Sequence, residues 1–360
     1  MATTSFWDVD YETGKSPTGS LDIDPATAPC KQDEVGTFAR YFGPAVFSVA
    51  FVVGLAGNGL VLAVLGRRRC PWPFADGFLF QLAVADLLLV LSLPFWATQF
   101  TQPWPFGEAL CKLLGALSTL NGYSTAFLLA CLSVERCLLI GHPTWLHRHV
   151  RPSHVGLCSA LLWGLALGLS SVELHFRSVG YTPQAGAVTC HLGFGAREAD
   201  SWRLGLRLAA FLVGFLLPLL VMALCYCRIV ARLRRAQLPH RRPAVRLLAA
   251  IVALFALSWG PYHGFVLVDS LERLGHLARD CAREKVLDFG LLFTESLGLL
   301  HCCLNPVVYA FLGAKFRREL SRLSPGRGGH WSPRDSQALE DFSRATEPST
   351  AQAGDGSVML

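Results

Sequence analysis

Along most of the chain, long uncharged stretches rich in Leu, Val, Ala and Phe alternate with short polar connections. Seven stretches reach the roughly 20 apolar residues that a helix needs to cross a bilayer. They lie at about 41–66, 77–101, 109–140, 154–176, 204–230, 245–270 and 286–312. The pattern predicts an all-α membrane protein, a seven-transmembrane helix bundle. Beyond the last stretch, Phe316, Leu320 and Leu323 fall on one side of a helix, and Lys315, Arg318 and Arg322 on the other. That predicts a short amphipathic helix over 313–323 lying against membrane lipid on the inner leaflet. Residues 1–40 read as an acidic arm, and 324–360 as a disordered tail of low hydrophobicity.

Composition agrees. The chain is 52% hydrophobic and 16% charged, where soluble domains carry about 25% charged residues. The net charge of +6 is unevenly spread, which argues against nucleic acid as its partner. Arg67, Arg68 and Arg69 follow the first stretch, Arg148 and Arg151 the third, and Arg228, Arg232, Arg234, Arg235, Arg241 and Arg242 the fifth. The alternate connections are poorer in bases and mixed, with Arg177, Arg197 and Arg203 in one and Arg273, Arg279 and Arg283 beside Glu272 and Asp280 in another. Positive connections stay in the cytoplasm, so the N-terminus is expected outside and the C-terminus inside. The first 36 residues hold no apolar core of signal-peptide length, so the first span is expected to act as its own insertion signal.

The arm carries Asp8, Asp10, Glu12, Asp22, Asp24, Asp33 and Glu34 against Lys15 and Lys31. It is either a solvated leader or an electrostatic lure for a basic partner. Tyr11, between Asp10 and Glu12, is a candidate for sulfation. No Asn-x-Ser/Thr occurs in the chain, so N-glycosylation is not expected. In the tail, Ser336, Ser343, Thr346, Ser349 and Thr350 are candidate phosphorylation sites, and an inert tail is the bland alternative. Four of the twelve cysteines (Cys30, Cys111, Cys190 and Cys281) fall on the predicted outer side. An even number there implies two disulfides, with three possible pairings.

Polar residues inside spans usually face the bundle interior. Asp86 is the clearest, with Asn58, Asn121, Thr125, His301 and Asn305 as available partners. It is either an anion that holds a cation or a neutral, hydrogen-bonded acid. Asp269 and Glu295 lie in the outer halves of their spans, with Trp96, Tyr123 and Tyr262 in neighbouring spans. Together they suggest a pocket for a cationic group; Asp269 as a solvated helix end and the aromatics as ordinary packing are the alternatives. Glu135-Arg136 closes the third span as an acid–base pair, and Asn305-Pro306-Val307-Val308-Tyr309 closes the seventh. Proline inside a helix removes a backbone donor and clashes with the preceding turn, so the seventh span is expected to bend or move there. HExxH, P-loop and GxSxG patterns are absent, which argues against an enzyme. The last span has no Lys to hold retinal. No internal repeat marks a transporter.

Gly57-Asn58, Leu82 to Asp86, Glu135-Arg136, Trp163, Pro218 with Tyr226, Trp259-Gly260-Pro261-Tyr262 and Asn305-Pro306 to Tyr309 occur one per span. In that order they resemble the rhodopsin-like G-protein-coupled receptors across most of the chain. Pro94-Phe95-Trp96, Trp104-Pro105-Phe106-Gly107 and His301-Cys302-Cys303-Leu304-Asn305-Pro306 further resemble the CXC chemokine receptors, with traits of types 1/2, 3 and 5 mixed. The resemblance implies Cys111–Cys190 and Cys30–Cys281 disulfides. It implies an acidic arm that grips a basic CXC chemokine through Asp8, Asp10, Tyr11 and Glu12, and a pocket at Trp96, Tyr123, Asp269 and Glu295 for the chemokine's N-terminus. It also implies a switch through Glu135, Arg136, Tyr226, Trp259, Pro261, Asn305, Pro306 and Tyr309 to an inhibitory-class G protein. A receptor kinase and arrestin would act on the tail. No cofactor is implied beyond an allosteric sodium ion at Asp86, Asn121, Thr125 and Asn305. The implied location is the plasma membrane. The family's Asp-Arg-Tyr reads Glu135-Arg136-Cys137 here. That departure leaves two alternatives, a scavenging receptor without G-protein output and a basally active one like virally captured relatives.

Overall fold

The computed structural model describes residues 30, 33–67, 74–149, 152–182, 186–195, 199–236, 242–277 and 280–312. Among them are seven helices long and apolar enough to cross a membrane. In chain order the elements are α1 (Asp33–Gly66), α2 (Phe74–Gln99), α3 (Gly107–Gly141), the short α4 (Pro143–His149), α5 (Pro152–Phe176), a hairpin of β1 (Arg177–Thr182) and β2 (Ala187–Leu192), α6 (Ala199–Ala209), a π-helical turn (Ala210–Leu216), α7 (Leu217–Ala236), α8 (Arg242–Arg273) and α9 (Cys281–Leu312). The helix of the first span begins at Asp33 rather than near 41, inside the stretch read as arm. Asp33 and Glu34 occupy its first turn, where carboxylates offset the exposed N–H groups of a helix end. The amphipathic helix expected over 313–323 and the tail over 324–360 lie outside the described residues.

α3 is the central helix. It packs against α2, α5, α7 and the hairpin, while α1 closes on α2 and α9, and α8 on α9. The main core joins Leu82, Leu128, Leu132, Met222, Phe255 and Trp259 from four helices, α2, α3, α7 and α8. At the periphery, Leu157, Leu161 and Leu165 of α5 are exposed at four-residue spacing, the signature of a face turned to lipid rather than to neighbours.

Small residues set the close approaches. A Cβ on Gly57 would lie 3.0 Å from the Pro306 ring, and one on Gly54 would lie 3.2 Å from Cys303 Sγ. The bare glycines of α1 therefore let the Cys303 and Pro306 side chains of α9 approach its backbone beside the proline kink. Gly107 opens α3 at φ +75°, a left-handed conformation that suits glycine. Its carbonyl accepts the Trp104 indole N–H at 3.0 Å. At the end of α8, Gly275 (φ +75°) carries a Schellman-type cap. His276 N–H donates to Leu271 O and Gly275 N–H to Glu272 O, both at 3.0 Å.

Two features are additions to the sequence reading. The antiparallel hairpin pairs Arg177 with Leu192 and Val179 with Cys190. The fifth span, read as one uninterrupted helix, contains the π-turn, in which Leu217 N–H donates back to Leu212 O. Pro218 explains its place. Pro218 has no N–H for the Gly214 carbonyl, and its ring crowds that turn, so the backbone widens by a residue.

Candidate functional site

One end of the bundle is pinned by two disulfides. Cys111–Cys190 ties α3 to β2, and Cys30–Cys281 ties the segment before α1 to the start of α9, with Cα separations of 5.6 and 5.5 Å. These are the pairings that the family resemblance implied. Glu34 of α1 bonds Lys285 of α9, and Arg283 of α9 pairs with Glu272 of α8 at 3.2 Å. Gln99 clamps the hairpin to α2. Its Oε1 accepts Cys190 N–H at 2.9 Å, and its Nε2 donates to Cys190 O at 3.4 Å. His191, next in the hairpin, is held below the usual histidine range by burial, with Arg177 and Arg203 acting in the same direction.

The four pocket residues expected from the sequence lie at different depths. Trp96 is half-buried, lies tilted against Trp104 at 5.5 Å, and keeps its indole nitrogen buried without a hydrogen-bond partner. Glu295 is half-buried on α9. Ten residues separate it from Asn305, about 15 Å along a helix. Tyr123 is packed in the core with Leu120, Phe127 and Ala166, its ring 3.1 Å from where a Cβ on Gly214 would sit. Asp269 is neither alone nor a solvated end. It accepts Arg207 Nη1 at 2.7 Å and Arg273 Nε at 3.0 Å. Arg207 also donates to Ser270 Oγ at 3.0 Å, linking α6 to α8. Asp8, Asp10, Tyr11 and Glu12 lie outside the described residues.

Glu173 and Arg177 were missed. Both are buried, and Arg177 Nε bonds Glu173 Oε2 at 2.7 Å. Thr119 of α3 donates to Glu173 Oε1 at 3.0 Å. The signal was present: an acid inside an apolar span with a base four residues on, one helical turn away. Counting Arg177 as a loop residue concealed it. Arg203 and Arg207, read as loop and span, are likewise buried. His263, also unflagged, is buried between Phe211 and Phe215.

At mid-depth the sequence-expected cluster is assembled. Fully buried Asp86 accepts Asn121 Nδ2 at 3.0 Å on Oδ1 and Asn305 Nδ2 at 2.9 Å on Oδ2. His301 donates from Nδ1 to Gly298 O at 2.5 Å, which leaves Nε2 as an acceptor, 3.9 Å from Asp86 Oδ1. Asn58 Nδ2 donates to Cys302 O at 2.9 Å and Gly54 O at 3.0 Å. Thr125 Oγ1 and His301 Nε2 are buried without hydrogen-bond partners. A carboxylate, a hydroxyl with a free lone pair and amide oxygens are the hard donors that a small cation takes, so the residues present fit a sodium ion. Among the described residues no cluster of three His, Cys, Asp or Glu side chains could hold a metal on its own.

Trp259 links the two levels. Its ring lies 5.5 Å from His301 and 6.0 Å from Tyr262. It lies over Gly298, where a Cβ would approach it to 2.6 Å. At the far end, Arg136 Nε pairs with Glu135 Oε2 at 3.2 Å. Cys137 and Tyr226 pack with buried Ile140 and Ile229 of the α3–α7 contact. Pro261 and Pro306 lie inside α8 and α9. The Tyr309 side chain and the phosphorylation candidates Ser336, Ser343, Thr346, Ser349 and Thr350 lie outside the described residues.

A family described as "7 transmembrane receptor (rhodopsin family)" matches residues 57–309. The chain is 44% identical to the human C-X-C chemokine receptor type 3 over 310 residues, covering 86% of this chain and 82% of that receptor. It is 37% identical to the human type 5 receptor over 323 residues, covering 88% and 86%. It is 37% identical to the Macaca mulatta type 2 receptor over 299 residues, covering 83% and 84%. A bundle of seven spans and likeness over this much of both chains lead to one conclusion: the chain belongs to the rhodopsin family of seven-transmembrane receptors and, within it, to the CXC chemokine receptors.

Proposed function

We propose that this receptor sits in the plasma membrane with its disulfide end outside, binds a basic CXC chemokine, and activates an inhibitory-class G protein. The arginines of the connections after the first, third and fifth spans support this orientation. The acidic arm, through Asp8, Asp10, Tyr11 and Glu12, attracts the chemokine's basic body, and the chemokine's N-terminus enters between Trp96 and Glu295. Asp269 takes part by exchange: its partner Arg273 is 37% exposed, so a ligand cation can replace it while Arg207 stays.

The observation that carries the reading is the layout of α9. That single helix bears Glu295 toward the disulfide end, His301 against Trp259, and Asn305 on Asp86 beside the Pro306 break. Ligand contact above is thereby joined to the kink below. Asp86, Asn121, Thr125 and Asn305 would hold a sodium ion, which supplies positive charge in the state that does not signal. Inward of it, Glu135 releases Arg136 to the G protein, with Tyr226 and Tyr309 closing around it. Receptor kinase and arrestin then act on the tail hydroxyls.

One observation favours a second reading. Cys137 replaces the family's tyrosine and packs in the α3–α7 contact, which would weaken the G-protein face and leave a scavenging receptor. The test is G-protein activation measured beside arrestin recruitment across a panel of CXC chemokines. Ligand-dependent G-protein output is expected. Binding and arrestin recruitment alone, with G-protein output restored by Cys137→Tyr, would instead establish the scavenger.

A further inference from the structure

Arg177 is one of the largest fully buried side chains in the protein. It reaches inward from the start of β1 and meets a carboxylate and an aromatic face, the groups that characterise cation-binding sites, beside a disulfide sulfur. The Glu173 carboxylate lies 2.7 Å from its Nε. The Trp96 ring lies 5.2 Å from its guanidinium carbon, inside the roughly 6 Å range of a cation–π contact. The Cys190 sulfur of the hairpin disulfide lies 3.8 Å from its Nη1. The space is shaped for it as well: a Cβ on Gly115 would stand 2.2 Å from Nε and 2.5 Å from Cδ, so only glycine leaves the groove open. Thr119 fixes the other carboxylate oxygen, so Glu173 faces the guanidinium in one orientation.

We propose that Glu173, Trp96 and Gly115 form a cation subsite in the wall of the pocket, and that its occupant is the receptor's own Arg177. The tethered guanidinium excludes an arginine or lysine of an incoming peptide from this wall. Glu173 is therefore withdrawn from ligand recognition, and a ligand cation is left to the Glu295 side. Removing Arg177 opens a subsite for a free alkylguanidinium. This is separable from the chemokine reading, because its probe is a small cation and its readout needs no chemokine.

The experiment compares thermal unfolding of the full-length wild type, Arg177→Ala and Glu173→Gln/Arg177→Ala, purified in detergent, with ethylguanidinium or with its neutral isostere ethylurea. Arg177→Ala is expected to lose thermal stability and to regain at least half of the lost Tm with ethylguanidinium, with no recovery in ethylurea. The double variant and the wild type are expected not to respond. Equal recovery with ethylurea, recovery that survives Glu173→Gln, or no recovery in Arg177→Ala overturns the proposal. If Arg177→Ala is too unstable to purify, cell-surface levels after expression with and without ethylguanidinium give the same answer. Gly115→Ala is the control there, because its added Cβ fills the groove. Rescue of Arg177→Ala but not Gly115→Ala supports the subsite; rescue of both or of neither overturns it.

Discussion

The disulfide end and the midplane of this receptor bury carboxylates in opposite ways. At the disulfide end three are matched by arginine: Glu173 by Arg177, Asp269 by Arg207 and Arg273, Glu272 by Arg283. At the midplane the hydrogen-bond donors to Asp86 are the amides of Asn121 and Asn305. A buried ion pair costs several kcal/mol when either partner is removed, so it fixes one arrangement. Amides give up one acceptor for another at about 1 kcal/mol, so a carboxylate held by them can change partners. The disulfide end is thus locked by charge, and the midplane is held by dipoles.

The comparison breaks most visibly at Glu173. Glu173→Leu strands a buried guanidinium and is expected to cost ~3–5 kcal/mol, and Glu173→Leu/Arg177→Met recovers most of it. Thermal unfolding in detergent measures both; a double variant no better than the single would show that charge is not what locks this end. Between the two levels, Gly298→Ala drives a methyl into the Trp259 ring. Overpacking of this kind costs about 1–3 kcal/mol, and basal G-protein output should shift with it. Gln99→Ala removes both amide bonds to Cys190, worth about 1 kcal/mol each, and should weaken chemokine binding more than it lowers Tm. Asp86→Asn is expected to change stability by less than ~1 kcal/mol, because its neighbours are neutral. Its effect should be to abolish the difference in agonist affinity between sodium and choline chloride; a persisting difference would exclude Asp86 as the sodium ligand. The smallest effect is at His191. Burial keeps its folded pKa below the ordinary value of 6.5. The unfolded chain therefore takes up the proton first, and hairpin stability falls as pH drops below that value. Hydrogen exchange of the hairpin amides should show that slope, and His191→Gln should flatten it.

The seven spans were legible because crossing a bilayer leaves a length and a composition in the chain. The midplane cluster was legible for a related reason: Asp86, Asn121 and Asn305 are polar where polarity is costly, and helical geometry brings them together. What escaped notice lay where the chain re-enters water. Arg177 and Arg203 read as connection charges, since arginine at a helix end is ordinarily solvated. Only the hairpin folding down over the bundle buries them, and hairpin register depends on turn geometry and pairing rather than on apolar length. Pro218 was visible within the fifth span, but whether a proline bends a helix or widens it to a π-turn depends on what packs there. Here that is Tyr123 against Gly214.

The widened turn at Ala210–Leu216 stores one surplus residue in the middle of a membrane helix. Expelling that residue toward either end would turn one half of the span against the other by about 100° and slide it by about 1.5 Å, the step of one residue in an α-helix. The upper half is anchored by Arg207 on Asp269, so the movement falls on the lower half, which carries Cys225 and Tyr226. The fifth span is thus geared: with its top held, a step of its inner face by a single tooth would exchange the i→i−5 bonds of the turn, such as Leu217 N–H on Leu212 O, for i→i−4 ones.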